Sequence, residues 1–250
     1  MWTLDDAAPL PHWRLEPEES AVAMAFSTRL GGISAPPYDS LNLGRSTPDA
    51  EQAVETNRRR LLSALGLDPS RLATAGQLHS PVVAACTGPG HVPGCDALVT
   101  TSPGLVLAVT TADCMSLIYT APGAVAVAHS GWRGTADGMP TAALRAVCSA
   151  SGMGPDHVAV HIGPCIRSCC YEVGEEVARR FPEQTLIPAG GRWRLDLAAA
   201  ARLQLAAAGL PVGRIADVGA CTACDPNRYF SHRRDRGLTG RHWAIVALRG

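Results

Sequence analysis

The sequence predicts an α+β protein in which mixed or stacked β-sheets are flanked by helices. Three observations predict it. Short apolar strands crowd the middle of the chain, and helices come singly between them. The order never settles into the strict β-α-β alternation of a doubly wound parallel fold. With 250 residues, 46% of them hydrophobic and 18% charged, the chain is long enough for one large core.

The elements follow in order. "AVAMAFSTR" (21–29) reads as a strand entering "LGGISAPPYDSLNLG", a loop rich in Gly, Pro, Ser and Asn. Residues 47–66 read as a helix with Thr47 as cap, Pro48 at its first position and Gly66 as its stop. Val54, Leu61, Leu62 and Leu65 supply its apolar spacing. Residues 71–80 and 81–90 look like a strand pair broken at His79-Ser80-Pro81. "DALVT", "GLVLAVTTADC", "SLIYT" and "GAVAVAHS" follow as strands. Helices are expected over 135–152, 171–181 and 196–210. "HVAVHIGP", "RIADVG" and "WAIVALR" complete the strands. Residues 1–20 carry Trp2, His12 and Trp13, apolar enough to pack, and no further signal. There is no internal repeat and no linker.

Composition excludes several functions. The formal net charge is zero, which gives no electrostatic case for nucleic-acid or anionic-membrane binding. No apolar run approaches the roughly 20 residues of a membrane span, and the N-terminus lacks a basic-then-apolar signal pattern. A cytoplasmic location is expected. All 22 basic residues are arginine. A P-loop and a pyridoxal Schiff base both require lysine, so both are excluded. Recognition of an anion must use Arg, His or backbone N–H groups. Nine cysteines, an odd number, read as free thiols or metal ligands rather than a disulfide framework. Cys221 and Cys224 form a CxxC pair. A second, structural metal would need another such pair, and Cys165, Cys169 and Cys170 lack that spacing, so free thiols are the expectation here.

Three apolar runs end on residues that can bind metal: "GQLHS" at His79, "VTTADC" at Cys114 and "VAVAHSGWRG" at His129. Two histidines and a cysteine are a ligand set of open catalytic zinc sites. The fourth position takes water or substrate, and the net positive charge lowers the pKa of that water. Each residue has a plainer alternative. A strand-ending Cys is commonly a small core residue, and a His near a core is commonly satisfied by one hydrogen bond. Asp96, opening "DALVT", stands as an acceptor for the outer N–H of a ligand histidine. Gly131 and Gly134 let the backbone turn close to the site. Arg133 offers a charged fork to phosphate, the alternative being an ion pair with Asp113 or Asp137. Trp132 packs beneath the site or stacks on a base. Arg29, ahead of Gly31-Gly32, is a second anion candidate. Gln77 lies two residues before His79 and holds substrate or caps a loop. Arg233 and Arg234 bound the pocket or belong to a solvated charged face.

"FSTRLGG", "SLNLG", "GQLHS", "DALVT", "TTADC", "AHSGWRG", "IGPCI", "YEVG" and "FSHRRD…TGR" stand in that order. With them, from about residue 21 to 248, the chain resembles the purine nucleoside phosphorylase family once called polyphenol oxidase or laccase-domain proteins. The resemblance implies a single domain over residues 1–250, with 1–20 as an N-terminal extension. It implies two mixed β-sheets stacked between helical layers, an α/β/β/α sandwich. It also implies a zinc site of His79, Cys114 and His129, which would be catalytic residues and metal ligands together. Arg29, Gln77 and Arg133 are the substrate-binding candidates. The implied activities are phosphorolysis of adenosine, inosine, guanosine and methylthioadenosine, and hydrolytic deamination of adenosine. Bacterial members are also linked to removal of faulty peptidoglycan precursors. The expected partners are purine nucleosides and phosphate, with no nucleic acid and no membrane, on a monomer or weak homo-oligomer. The sequence departs from the family pattern at Cys224 and at Arg236, where glycine is expected.

Other functions make different demands. A multicopper oxidase needs many histidines, usually in His-x-His pairs; this chain has eight and no such pair. A single copper on Cys114 and two histidines is conceivable, so copper-dependent phenol oxidation stays as an alternative, with copper less expected than zinc. A cysteine hydrolase or amidase acting on a peptidoglycan precursor would use Cys114 as nucleophile and His129 or His79 as base. A thiol-based interaction or redox-sensing protein would turn over no purine at all.

Overall fold

The computed structural model describes residues 1–15 and 21–249. The strands are β1 (Trp2–Asp5), β2 (His12–Leu15), β3 (Val22–Ser27), β4 (Leu72–Ala75), β5 (Val83–Ala85), β6 (Gly90–Val92), β7 (Ala97–Thr100) and β8 (Val106–Thr111). They continue as β9 (Met115–Ala121), β10 (Ala124–Ser130), β11 (Ala159–Ile162), β12 (Glu172–Val173), β13 (Leu186–Ala189), β14 (Arg192–Leu195), β15 (Ile215–Asp217) and β16 (His242–Leu248). The helices are α1 (Glu51–Ala64), α2 (Trp132–Ala136), α3 (Met139–Ser151), α4 (Glu175–Ala178) and α5 (Leu197–Ala207).

Two large sheets hold the fold. One has seven strands in the order β1-β2-β3-β16-β8-β4-β6; the other has six, β15-β11-β9-β10-β7-β5. Both are mixed. β4 runs parallel to β6 and β8, while β16 is antiparallel to β3 and β8. In the other sheet β11 is parallel to β15 and β5 to β7, with β9 and β10 antiparallel. A small sheet, β12-β14-β13, stands apart.

Side chains alternate across each strand, and the alternation sorts the core into three apolar layers. Leu107, Val109, Ala244 and Val246 of the seven-stranded sheet meet Leu98, Ile118, Val125 and Val127 of the six-stranded one. The opposite residues of the first sheet, Val106, Ala108, Trp243 and Ile245, pack on Leu61 and Leu62 of α1. Those of the second, Leu117, Tyr119, Ala126 and Ala128, pack on Ala143, Leu144 and Val147 of α3 and Ala201 and Leu205 of α5. The architecture is therefore helix, sheet, sheet, helix, as expected. β9 and β10 are buried along their whole length. That is why β10 reads as an unbroken apolar run up to His129, and why β9 departs from one only at Ser116 and Thr120, instead of alternating.

Several local expectations are corrected. The stretch over 71–90 is not a strand pair: β4 and β5 lie in different sheets. The first helix begins at Glu51, not at Thr47-Pro48. Thr47 instead donates to the Gly44 carbonyl and accepts from Asn42, closing a turn. The helix expected over 135–152 is two, α2 and α3, parted at Gly138, whose φ of 89° is left-handed. The segment 171–181 gives only a two-residue strand and a one-turn helix. α5 starts as expected, with Asp196 accepting from the Ala199 N–H at 2.9 Å. Residues 1–15 are built into the seven-stranded sheet. Trp2 lies 4.7 Å from the Phe26 ring and donates to His161 Nδ1. Burial pushes His161 down to about 4, so it stays a neutral core imidazole.

The half-buried Asp217 at the end of β15 accepts from both Arg167 and Arg202 and from the Gly219 N–H. Burial opposes its charge, but these donors hold its pKa below the ordinary carboxylate value. Its stabilisation is present above the unfolded carboxylate pKa of about 3.9 and is lost as pH falls through the lower folded value. Asp217→Ala strands Arg167 and is expected to lower stability by roughly 3–5 kcal/mol at pH 7. In urea titrations from pH 7 down to 3, the variant should show a flatter acid limb than the parent. No helix among the described residues is long and apolar enough to cross a membrane.

Candidate metal centre

Of the three crossings the chain makes from the seven-stranded to the six-stranded sheet, two carry candidate ligands, the one between β4 and β5 and the one between β8 and β9. His79 lies on the former and Cys114 on the latter. His129 comes from β10, next in the row of alternate residues that includes Val125 and Val127. The ligand atoms of all three lie within 4.8 Å of one another. The imidazole rings of His79 and His129 meet edge to face, 4.9 Å between centroids.

Asp96, fully buried, organises this convergence. Its Oδ1 accepts from the His79 N–H at 2.8 Å and pairs with His129 Nδ1 at 2.9 Å. Its Oδ2 accepts from the Leu78 N–H, the Ser80 N–H and the Ser80 hydroxyl, each at 2.9 Å. With Nδ1 so engaged, Nε2 is the His129 atom left for the centre. Burial works against the Asp96 charge, yet His129 and Ser80 hold its pKa well below the carboxylate range. Burial likewise disfavours the Cys114 thiolate, but His129 and His79 bring it down to about 6. Against the same desolvation, Cys114 and Asp96 raise His129 to about 9.

The backbone around the cluster is unusual. Gln77, His79 and Asp113 all have positive φ, at 58°, 63° and 82°, a conformation that residues with a Cβ seldom adopt. Such outliers concentrate at functional sites. Gly131 is required by proximity: a Cβ there would lie 2.9 Å from Cys114 Sγ and 3.2 Å from a His79 ring carbon. Gly134 faces no comparable crowding, its nearest neighbour being 3.6 Å away, so the glycine requirement rests on Gly131.

The cluster opens into a cavity of about 930 Å³. Trp132 lines it and also packs on the Tyr171 cluster, and Arg133 lies 4.4 Å over the Trp132 ring. Arg133 pairs with neither carboxylate considered for it. Asp137 binds Arg180, and Asp113 accepts from Thr222, Ser231 and the Arg233 N–H. Gln77 reaches the cavity, but its amide exchanges hydrogen bonds with Thr110 across 2.7–2.8 Å and so braces the end of β8. Arg29 is not brought here. It pairs with Asp39 and stacks on Phe230, outside the lining. Arg233 lines the cavity over Tyr171, while Arg234 turns to Asp235 and the Tyr229 and Thr222 carbonyls. Arg236 has φ 50°, the conformation its glycine-favouring position demands.

Sequence reading missed Arg45, Arg58 and Arg241, three further cations in the lining. Arg58 is buried against Trp243 and donates to the Leu43 carbonyl, and burial lowers its pKa to about 10. A signal existed: Arg58 is four residues after Val54 and three before Leu61, on the apolar stripe of α1.

A family model described as multi-copper polyphenol oxidoreductase laccase matches residues 23–249. The chain belongs to that family. Within this laccase-type family, a protein of Deinococcus radiodurans named purine nucleoside phosphorylase is 40% identical over 91% of this chain and 90% of its own. Purine nucleoside phosphorylase YfiH of Escherichia coli is 37% identical over 96% and 98%. Among solved structures, the hypothetical protein YfiH of Bacillus licheniformis superposes with a TM-score of 0.93 at 32% identity, covering 99% of each chain. YlmD of Geobacillus stearothermophilus gives 0.89 at 34%, covering 100% of this chain and 96% of the other.

Proposed function

We propose that this chain is a zinc-dependent purine nucleoside phosphorylase that acts on adenosine, inosine, guanosine and methylthioadenosine and also deaminates adenosine, in the cytoplasm. The observation that carries the reading is a metal-competent His79–Cys114–His129 cluster at an arginine-rich cavity large enough for a nucleoside and phosphate. The names of the relatives support it. The donor set fits a metal: three ligand atoms converge, Asp96 fixes one imidazole from behind, and Gly131 leaves the cluster room. One thiolate and two imidazoles suit zinc. Among the described residues, the two groups able to hold a metal contain only two histidines between them, too few for a multicopper centre.

A zinc ion held there supplies Lewis-acid polarisation and electrostatic stabilisation of charge developing on the base. The chain's own residues do the rest. Arg133, Arg233 and Arg241 line the cavity without a carboxylate partner among the described residues, and so present cations to phosphate. Tyr171, Trp132 and Ile166 give apolar surface to the base and exclude water. Asp96 keeps the His129 proton at Nδ1 and Nε2 toward the centre. In phosphorolysis the phosphate oxygen bonds to the sugar C1′ as the glycosidic bond breaks and its electron pair leaves with the base.

The test is adenosine turnover with and without phosphate on protein of known metal content. Base release that requires phosphate, together with inosine formation, is the expected result. Zinc-loaded protein that leaves purine nucleosides untouched would sink the reading. Arg133→Lys keeps the charge but loses the planar fork. It is expected to raise the KM for phosphate roughly tenfold or more with little change in metal content, read by initial rates at varied phosphate.

One observation favours a second reading. Cys114, His129 and Asp96 form a thiolate–imidazole–carboxylate relay, with the thiol already lowered to about 6. A cysteine hydrolase built this way would survive chelation and die on Cys114 alkylation, the reverse of chelator sensitivity.

A further inference from the structure

A second group of sulfurs lies away from the cavity lining. Cys169 and Cys170 stand on the loop after β11, and Cys221 and Cys224 on the loop after β15. All four sulfurs lie within 4.8 Å of one another. Cys224 Sγ is 3.5 Å from Cys169 Sγ and 3.3 Å from Cys170 Sγ. The thiols expected to be free are free, but these four are gathered in one group. The CxxC pair has its partner pair, and the partner is vicinal, which spacing rules do not search for.

We infer that Cys169, Cys170, Cys221 and Cys224 form a structural zinc site that clamps the 165–171 loop to the 220–224 loop.

Three features carry this. The first is distance. Sulfurs about 2.3 Å from a tetrahedral zinc are about 3.8 Å apart, close to the spacing seen here. Cys224 is shared almost evenly between Cys169 and Cys170, as around one centre, whereas a disulfide would bring one partner to about 2.05 Å. The second is the surroundings of Cys221. The backbone N–H groups of Arg167, Ala223 and Cys224 all face its sulfur. Backbone donors around a ligand sulfur hold it in place for a shared centre. The third is exposure. Cys169 and Cys224 are exposed and Cys170 and Cys221 half-buried, so apolar burial does not explain why four thiols meet.

The loops are prepared for such a clamp. Cys165 and Cys221 form a parallel bridge, with the Cys165 N–H donating to the Ala220 carbonyl and the Thr222 N–H to that of Cys165. Arg167, tied to Asp217, anchors the base of the first loop. An all-thiolate set of four leaves no open position, which is the mark of a structural rather than a catalytic zinc. What the clamp holds matters to the cavity: the first loop delivers Ile166 and Tyr171 to its wall, and the second delivers Thr222 to Asp113. The inference is independent of any nucleoside chemistry.

The test is zinc stoichiometry by native mass spectrometry of the wild type, purified without chelator, beside Cys114→Ala and Cys221→Ser/Cys224→Ser. Cys114→Ala that keeps one zinc, with a double variant that carries one zinc fewer than the wild type, is the expected result, whatever the first cluster does. The double variant should also melt roughly 10 °C lower. Should it fail to fold, cobalt substitution of Cys114→Ala decides by its visible spectrum, which must show intense sulfur-to-cobalt charge transfer from a tetrahedral four-thiolate set. Cys114→Ala that carries no zinc overturns the inference. So does wild-type protein lighter by the hydrogens of a disulfide among these four cysteines, or a red iron-loaded form.

Discussion

Cys114→Ala is expected to lose the zinc of the His79–Cys114–His129 cluster and to lower kcat/KM for adenosine phosphorolysis by about 10³-fold, several kcal/mol of transition-state stabilisation. The fold should survive. Cys114 lies on a crossing loop beside Gly131, outside the apolar layers, and its removal deletes one sulfur facing the cavity. Deamination and phosphorolysis should fall together, because both are assigned to one centre. Metal analysis and both assays on the same preparation check it. Full turnover with the zinc gone would show that the sulfur and its ion are bystanders.

Asp96→Asn is expected to lower stability by roughly 3–5 kcal/mol and to weaken zinc binding 10- to 100-fold. The reason is an arithmetic of donors. Oδ1 serves the His79 N–H and His129, and Oδ2 serves the Leu78 and Ser80 N–H groups and the Ser80 hydroxyl. An asparagine replaces one of these oxygens by an NH₂ donor. Whichever it replaces, donor then faces donor in a site with no water-accessible surface on the carboxylate residue. Chemical denaturation and chelator competition read the two effects separately. An Asp96→Asn protein with parental metal affinity would remove Asp96 from its place behind His129.

The sheet strands were legible because burial wrote itself into composition. β9 and β10 are buried on both faces, and a His or Cys at the end of an apolar run is conspicuous, as His129 is in β10 and Cys114 after β8. Their meeting was not legible from spacing. It depends on the chain changing sheets at 76–82 and again at 112–114, and "GQLHS" with "PVVAAC" looks locally like a hairpin. Asp113 illustrates the same limit. Beside Cys114 it suggested a partner for Arg133, but its left-handed backbone turns it to Thr222 and Ser231, more than 100 positions later. Arg29 read as an anion site because glycines follow it. In the fold its guanidinium closes the Asp39 loop. The four clustered cysteines escaped because a vicinal pair matches no spacing rule, while two loops brought side by side by a single bridge make it equivalent to one.

Asp96 has one more consequence, for how errors propagate through this protein. A single carboxylate sets both the backbone of the His79 turn and the ring of His129. The two imidazoles are thus not independent ligands. In a double-mutant cycle, Asp96→Asn and His129→Ala should show a large non-additive coupling in zinc affinity, because part of what Asp96 contributes is the placement of the His129 ring. Drift in the sequence around 78–80 is therefore constrained by a strand-end histidine some fifty positions away.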